Sequence, residues 1–370
     1  WESPASAVKG RARGSGAEMS NKPNVFFIMI DDMGWGDMGY QSTDLSRLTP
    51  NLDRLAAGGI KLTNYYSMHK CTPARASLMT GRYPVRHGMQ YEVISAGAMW
   101  GLPLYEKILP QYMNDAGYES HMVGKWHIGS FQDASTPFAR GFDTFLGYLN
   151  GQERYWSHKN LEAVAEDHLF YDFGFGNQTA YYDVTNDLSF LDWTSPAVEG
   201  AEIKEGIVKR KKFVTDDIDT SGGIVDEALV DYVGVYSEDA FIGRATRIVQ
   251  SKTPWDGEPL FLFLAHQSVH SPLTTPPLAG FSKEERALLT SIDSTSEERQ
   301  EFAAALLYLD KKIGIFLDVL ESGGWLENSI VVVASDNGGC PGSGGSNYPL
   351  RGTKSSYFEG GTKVWHPSPP

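Results

Sequence analysis

Cysteine is scarce in this chain: Cys71 and Cys340 are the only two in 370 residues. Two thiols cannot build the disulfide framework of a small stapled domain, which leaves two free thiols or one bridge. Long apolar runs are missing as well. No stretch approaches the roughly 18 to 20 residues that cross a bilayer, so no transmembrane segment is expected. Basic side chains are outnumbered, with 32 Lys and Arg against 46 Asp and Glu, for a formal charge of -14. Such a balance opposes non-specific attraction to nucleic acid or to an anionic membrane surface. An anionic substrate would need a local cluster of positive charge. Residues 1–22 lack the apolar h-region of a signal peptide and read as a flexible leader. No internal repeat is visible, and the Pro-rich end His366-Pro367-Ser368-Pro369-Pro370 is the other biased tract.

What is present is a chain with 41% hydrophobic residues, enough to bury a large core. Asn24-Val25-Phe26-Phe27-Ile28-Met29-Ile30 is continuously apolar and stops at Asp31-Asp32. That fits a strand buried on both faces. The design recurs in 259–265, which ends near His266 and His270, and in 330–334, which ends at Asp336-Asn337-Gly338-Gly339. Between strands, Phe302, Leu306, Leu309, Ile313, Phe316, Leu317 and Leu320 follow a helical period, with Gly323-Gly324 as a stop. The alternation predicts an α/β fold: a mostly parallel central sheet with helices on both faces, and ligands beyond the carboxyl ends of the strands. Residues 150–239 are aromatic and acidic with weak periodicity and read as variable insertions and substrate-facing loops.

Several segments can carry chemistry. Pro73 suits a first helical turn, so Ala74 to Thr80 before Gly81 reads as a short helix with Cys71 just ahead of it. The helix start would favour a thiolate or a bound oxyanion there, and Arg75 adds a full positive charge one turn onward. Taken alone, Cys71 is as readily an ordinary buried cysteine. Asp31, Asp32, Asp336 and Asn337 lie at two strand ends, and their oxygens could converge on one hard cation; calcium or magnesium fits an oxygen-only set. Any single such pair is more often a turn former or cap. Lys125 and His127 in Gly124-Lys125-Trp126-His127 would share one side of an extended segment. His270 and Lys354 are no more specific individually.

Together these segments resemble the sulfatase family: Asp31-Asp32, Cys71-x-Pro73-x-Arg75, Gly124-Lys125-Trp126-His127, His270, Asp336-Asn337-Gly338-Gly339 and Lys354, in that order. Within it the wording is most similar to the arylsulfatase B (N-acetylgalactosamine-4-sulfatase) group, as in Thr49-Pro50-Asn51-Leu52-Asp53, Arg140-Gly141-Phe142-Asp143-Thr144 and Asn347-Tyr348-Pro349-Leu350-Arg351-Gly352. The resemblance implies an alkaline-phosphatase-like sulfatase fold with a catalytic domain over 23–364. It further implies a smaller C-terminal domain that is missing here, with 365–370 as an atypical end. By the same resemblance Cys71 is converted to formylglycine by a formylglycine-generating enzyme, and its hydrated aldehyde attacks sulfur. Asp31, Asp32, Asp336 and Asn337, joined by residue 71, would hold one calcium ion. Arg75 would support the nucleophile, and Lys125 and Lys354 would neutralise sulfate oxygens. His270, titrating near neutrality, would protonate the leaving oxygen, and His127 would be the matching base. Ser157-His158 stands where the family often places a substrate contact, and His266 stands where an apolar residue is common.

The resemblance thus implies hydrolysis of sulfate esters, on sulfated carbohydrates. With the sequon Asn177-Gln178-Thr179 it also implies a secreted or lysosomal glycoprotein, or a periplasmic protein if the source is bacterial. The competing enzyme is a phosphonate or phosphodiester hydrolase of the same superfamily. From another class, an unconverted Cys71 would leave an inactive sugar-binding protein.

Overall fold

A computed structural model describes residues 22–158, 160, 234–255, 257–292 and 296–365, with the backbone of short strands at 173–177, 180–183, 203–204, 207–208 and 367–368. Its frame is a seven-stranded sheet built from β1 (Asn24–Ile30), β2 (Glu119–Lys125), β3 (Thr144–Tyr148), β4 (Phe173–Asn177), β5 (Ala180–Asp183), β6 (Leu260–Ala265) and β7 (Ser329–Ser335). The spatial order is β7-β1-β6-β2-β3-β4-β5. The first five strands in that order pair in parallel, and the last two join antiparallel. The expected mostly parallel α/β sheet is what forms.

Alternation across each strand sends side chains into two cores. Phe26, Ile28, Ile30, Leu260, Leu262, Leu264, Val331 and Val333 pack on one face, while Phe27, Met29, Phe261, Phe263 and Met122 pack on the other. The five helices used below are α1 (Pro50–Gly58), α2 (Cys71–Thr80), α3 (Leu109–Asp115), α4 (Ser237–Gln250) and α5 (Glu297–Ser322). Buried residues of α4 and α5 complete the first core, and Ala76, Met79 and Leu109 of α2 and α3 belong to the second. With both faces covered, the central strands need apolar side chains throughout, which is why their sequences run apolar without alternation. The long helix α5 starts at Ser296, whose hydroxyl accepts from the Arg299 N–H, and stops at Gly323.

Because β1, β2, β6 and β7 are parallel, their carboxyl ends lie along one edge. Asp31 and Asp32 follow β1, His127 follows β2, His266 to His270 follow β6, and Asp336 and Asn337 follow β7. β6 inserts between β1 and β2, so the strands adjoining it were laid down much earlier in the chain. Crevices at such reversals are where open α/β sheets bind ligands. Near the end of the chain, Lys363–Val364 pairs antiparallel with Tyr65–Tyr66, and Pro367–Ser368 with Ile60–Lys61. All but Lys22 of the residues expected to be a leader, and most of those expected to be insertions over 150–239, fall outside the described set. No helix among the described residues is long and apolar enough to cross a membrane.

Candidate active site

Cys71 is the first residue of α2 rather than a residue ahead of it. Lys70 takes the N-cap position with extended backbone and no side-chain cap, so the first-turn N–H groups are left for other partners. Pro73 occupies the third helical position, where it loses no helical hydrogen bond. Gly81 closes the helix at φ 65, as the sequence suggested. The Cys71 side chain is buried, with Sγ 3.6 Å from Asp31 Oδ1. One turn on, the Arg75 guanidinium is clamped on three sides. Nε and Nη2 donate to Asp336 Oδ2 at 3.1 and 2.9 Å, Nη2 also reaches Asp31 Oδ2 at 3.2 Å, and Nη1 donates to the Lys125 carbonyl at 2.9 Å.

Lys125 Nζ donates to Asp31 Oδ2, and both side chains are fully buried. Lys354 Nζ lies 2.7 Å from the Asp32 carboxylate. The site therefore gathers three buried carboxylates, Asp31, Asp32 and Asp336, with two buried cations, Arg75 and Lys125, and the half-buried Lys354. Burial opposes ionisation of Asp31, but Lys125, His270, Arg75 and Lys354 together hold it far below the usual carboxylate range. Burial and the negative charge of Asp31 push Asp336 up to about 6. The Cys71 thiol is raised to about 12 by burial and by Asp31, so the thiolate anticipated at this helix start is not favoured.

The two loops that bring Asn337 and Lys354 together are held by glycine-to-glycine packing. A Cβ on Gly338 would sit 1.9 Å from the Gly360 carbonyl oxygen, so no larger residue fits there. Gly338 N donates to Gly361 O, and Lys354 N donates to Gly339 O, both at 3.0 Å. Asn337 donates through Nδ2 to Asp32 Oδ1 at 2.6 Å and to Gly338 O at 3.0 Å. Its other atom, Oδ1, is buried without a hydrogen-bond partner. An orphaned amide oxygen beside carboxylates suits a hard cation, which needs oxygen donors and satisfies lone pairs that the protein leaves open. Asp31, Asp32, Cys71 and His270 also each offer a ligand atom, all within 4.8 Å of one another. His270 was not in the anticipated ligand set; its distance in sequence from both acidic pairs gave no signal.

Lys125 and His127 do come together, but not by strand alternation. β2 ends at Lys125, and His127 has φ 58, outside extended geometry. The left-handed backbone of His127 does the work. His127 Nε2 lies 2.9 Å from the Ile94 carbonyl, so Nε2 carries the hydrogen and Nδ1, buried and unpartnered, is the bare nitrogen. Burial and Lys125 hold the ring well below the ordinary histidine range. His270 Nδ1 donates to the Ser271 carbonyl, which leaves Nε2 turned to Asp32 at 3.7 Å. Instead of titrating near neutrality, His270 is pushed down to about 4 by burial and by Lys354. His158 is fully buried, with Nδ1 3.0 Å from Glu153 Oε1 and Nε2 3.1 Å from the Val235 carbonyl. Both ring nitrogens therefore face the interior, unlike the substrate contact anticipated for Ser157-His158. His266, standing where an apolar residue is common, is likewise fully buried, against Glu238.

A family model described as Sulfatase matches residues 23–364. This chain is a member of the sulfatase family. It is 34% identical to arylsulfatase J of Mus musculus over 351 residues, which take in 95% of this chain and 48% of that relative. Against N-acetylgalactosamine-6-sulfatase of Homo sapiens the identity is 30% over 362 residues, covering 93% of this chain and 57% of the relative. The sulfatase chain described here thus spans about half the length of the curated relatives it matches. Among solved structures it resembles Ps i-CgsB in complex with k-i-k-neocarrahexaose, with TM-score 0.67 and 26% identity over 94% of this chain and 65% of the other. The fold is also that of the PsFucS1 sulfatase from Pseudoalteromonas sp., with TM-score 0.62 and 24% identity over 94% of this chain and 62% of that one.

Proposed function

We propose that this sulfatase-family chain hydrolyses sulfate esters, using a formylglycine made from Cys71 and a calcium ion held by Asp31, Asp32, Asp336, Asn337 and residue 71. The observation that carries the reading is the placement of Cys71 at the start of α2, with Sγ 3.6 Å from Asp31 Oδ1, among carboxylates that pair with the three cations Arg75, Lys125 and Lys354. When present, the cation polarises the sulfate and the oxidised residue supplies a hydrated aldehyde oxygen as nucleophile.

The chain's own side chains then have distinct tasks. Arg75, fixed by Asp31 and Asp336, supports residue 71 from one turn along the helix. Lys125 and Lys354 offset negative charge on the sulfate oxygens, which a protein of charge -14 can do only with a local cationic cluster. His127 takes a proton at its bare Nδ1, and its depressed basicity keeps the ring neutral and ready to accept. His270 delivers a proton from Nε2 to the leaving oxygen, assisted by Lys354. Burial and the Lys354 charge depress His270, and a bound sulfate anion offsets the second of these, which moves the ring toward the protonated form the step requires.

A sulfated carbohydrate is the substrate class we favour. The resemblance to a structure bound to neocarrahexaose and to an N-acetylgalactosamine-6-sulfatase supports it. The arylsulfatase-B-like wording around 347–352 favours sulfate over phosphodiester. A secreted or lysosomal home, or a periplasmic one in a bacterium, goes with this reading, as does maturation by a formylglycine-generating enzyme.

Co-expression with that enzyme, followed by mass spectrometry of the peptide containing residue 71, tests the modification: a mass below that of cysteine is expected. The same preparation should cleave an aryl sulfate faster than an aryl phosphodiester. Preference for the diester, or a peptide that stays cysteine, overturns the proposal.

A further inference from the structure

The geometry points to Glu238 and His266 as positioning residues that hold His270 where it can protonate the leaving oxygen; the inference rests on the acid role given to His270 above. His266, the residue just past the end of β6, is a buried group that the chemistry so far leaves unused. Its imidazole is fully buried, and Nδ1 pairs with Glu238 Oε2. Glu238, at the second position of α4, is also fully buried, and its other oxygen, Oε1, accepts the Ser268 N–H at 2.9 Å. One carboxylate therefore grips two points of the turn that leads from β6 to His270.

The rest of that turn is tied to β1 and its neighbours. His266 N donates to Met29 O at 2.8 Å, Asp31 N donates to Ser268 O at 3.1 Å, and Val269 N donates to Asp31 O at 2.8 Å. At the far end, His270 N donates to Gln267 O at 2.9 Å, and Tyr155 Oη donates to the His270 carbonyl at 2.8 Å. Ser268 is the hub: its carbonyl holds the Asp31 backbone and its N–H is held by Glu238. Removing the carboxylate would free Ser268 N and His266 Nδ1 in a dry interior, and the turn would shift to find other partners. His270 lies two residues beyond Ser268, so a shift is passed directly to its ring. A general acid must sit within hydrogen-bond reach of the atom it protonates, so a displacement of this kind weakens proton delivery before it disrupts the sheet.

A loss of proton delivery has a signature that a loss of folding lacks. Leaving groups that are already stable as anions need little protonation, whereas poor ones depend on the acid. The test measures kcat over a series of aryl sulfates from para-nitrophenyl to para-methoxyphenyl, on matured protein, for wild type, His270→Ala, Glu238→Ala, Glu238→Gln and His266→Leu. His270→Ala is the reference, with a loss of about 10²-fold on the poorest leaving group and much less on para-nitrophenyl sulfate. Glu238→Ala is expected to copy that pattern, losing at least about tenfold more on the poorest leaving group than on the best. Glu238→Gln keeps an acceptor for Ser268 N, and its amide N–H donates to His266 Nδ1 once that ring takes its other tautomer, so it should stay within about threefold of wild type across the series. If Glu238→Ala does not fold, His266→Leu serves instead, with a tilt in the same direction. Equal losses at every leaving group in Glu238→Ala and His266→Leu, alongside a selective His270→Ala, overturn the positioning role alone. A His270→Ala profile without selectivity removes the acid role of His270 and this assignment with it.

Discussion

Asn337 divides its amide between two tasks. Its nitrogen is committed to Asp32 and to the Gly338 carbonyl, and its oxygen is left bare in the interior. Calcium is therefore expected to stabilise the wild-type protein by about 2.7 kcal/mol when it stands at a hundred times its Kd, which is read as a raised melting temperature. Asn337→Ala should need at least about tenfold more calcium for the same gain. Superimposable calcium titrations for the two proteins, followed by thermal unfolding, would remove Asn337 from the ligand set. Arg75 presents the opposite case, a cation whose three nitrogens are all engaged. Arg75→Met leaves Asp31 and Asp336 facing each other without their shared partner, at a cost of about 3–5 kcal/mol in urea unfolding. A variant as stable as wild type would show that the clamp is energetically idle. At this scale the acidic pairs and Cys71 with Arg75 were legible because they stand at strand ends and at a helix start, whereas Lys354 and His270 were singled out only by the resemblance. Glu238 was not, since a single acidic residue in the first turn of a helix is ordinary, and only the burial of His266 shows what it pairs with.

Among the elements, β2 shows how narrowly the site is built. Gly124, with φ 104, precedes Lys125, and a Cβ there would lie 1.8 Å from the Ala265 carbonyl oxygen of β6. On the other side, Gly124 is in register with Gly147 of β3. Three backbones thus converge where Lys125 leaves the sheet. Gly124→Ala combines a disfavoured φ with a backbone clash, and a loss of about 3 kcal/mol is expected. Because the strands must part, Lys125 would be displaced from Asp31, and kcat should fall even at a temperature where circular dichroism shows the variant folded. Unchanged kcat in folded Gly124→Ala would mean that the position of Lys125 is set elsewhere. β1, β6, β7 and α5 were legible from apolar runs and a helical period, since burial on both sheet faces writes itself as continuous hydrophobicity. β2 was not, because Glu119, Ser120 and His121 break its run. Those polar groups are accommodated locally: His121 Nδ1 lies 2.7 Å from Thr144 Oγ1, and Ser120 Oγ donates to Asn114 Oδ1 at 2.8 Å.

Across the whole molecule, ionic groups occupy both ends of the sheet, and the end away from the site reports on folding alone. Glu119 opens β2, with Oε1 3.1 Å from His121 Nε2 and Oε2 paired with Lys252, just beyond the end of α4. Burial by itself would raise the Glu119 pKa, but hydrogen bonding and charge from His121 and Lys252 reverse that and bring it from 4.5 down to about 2. For a carboxyl depressed in the folded state, the stability it adds is fully present above its unfolded value and is lost as pH falls through its folded value. The window is therefore about pH 4.5 down to about 2. With a side chain 32% exposed to screening solvent, and with burial holding His121 below the ordinary histidine range so that Lys252 is the partner charged at neutral pH, we expect a contribution of about 1 kcal/mol there. Glu119→Gln should accordingly be less stable than wild type by that amount at pH 7, and the two should converge as the solution is acidified through the window. Urea unfolding at a series of pH values measures the gap directly. A gap that stays constant from neutral to acid would mean that Glu119 holds β2 to α4 by packing rather than by charge. Since Glu119 is separated from Lys125 by the full length of the strand, the same variant should leave the sulfatase site's calcium response unchanged, which distinguishes a loosened frame from a damaged centre.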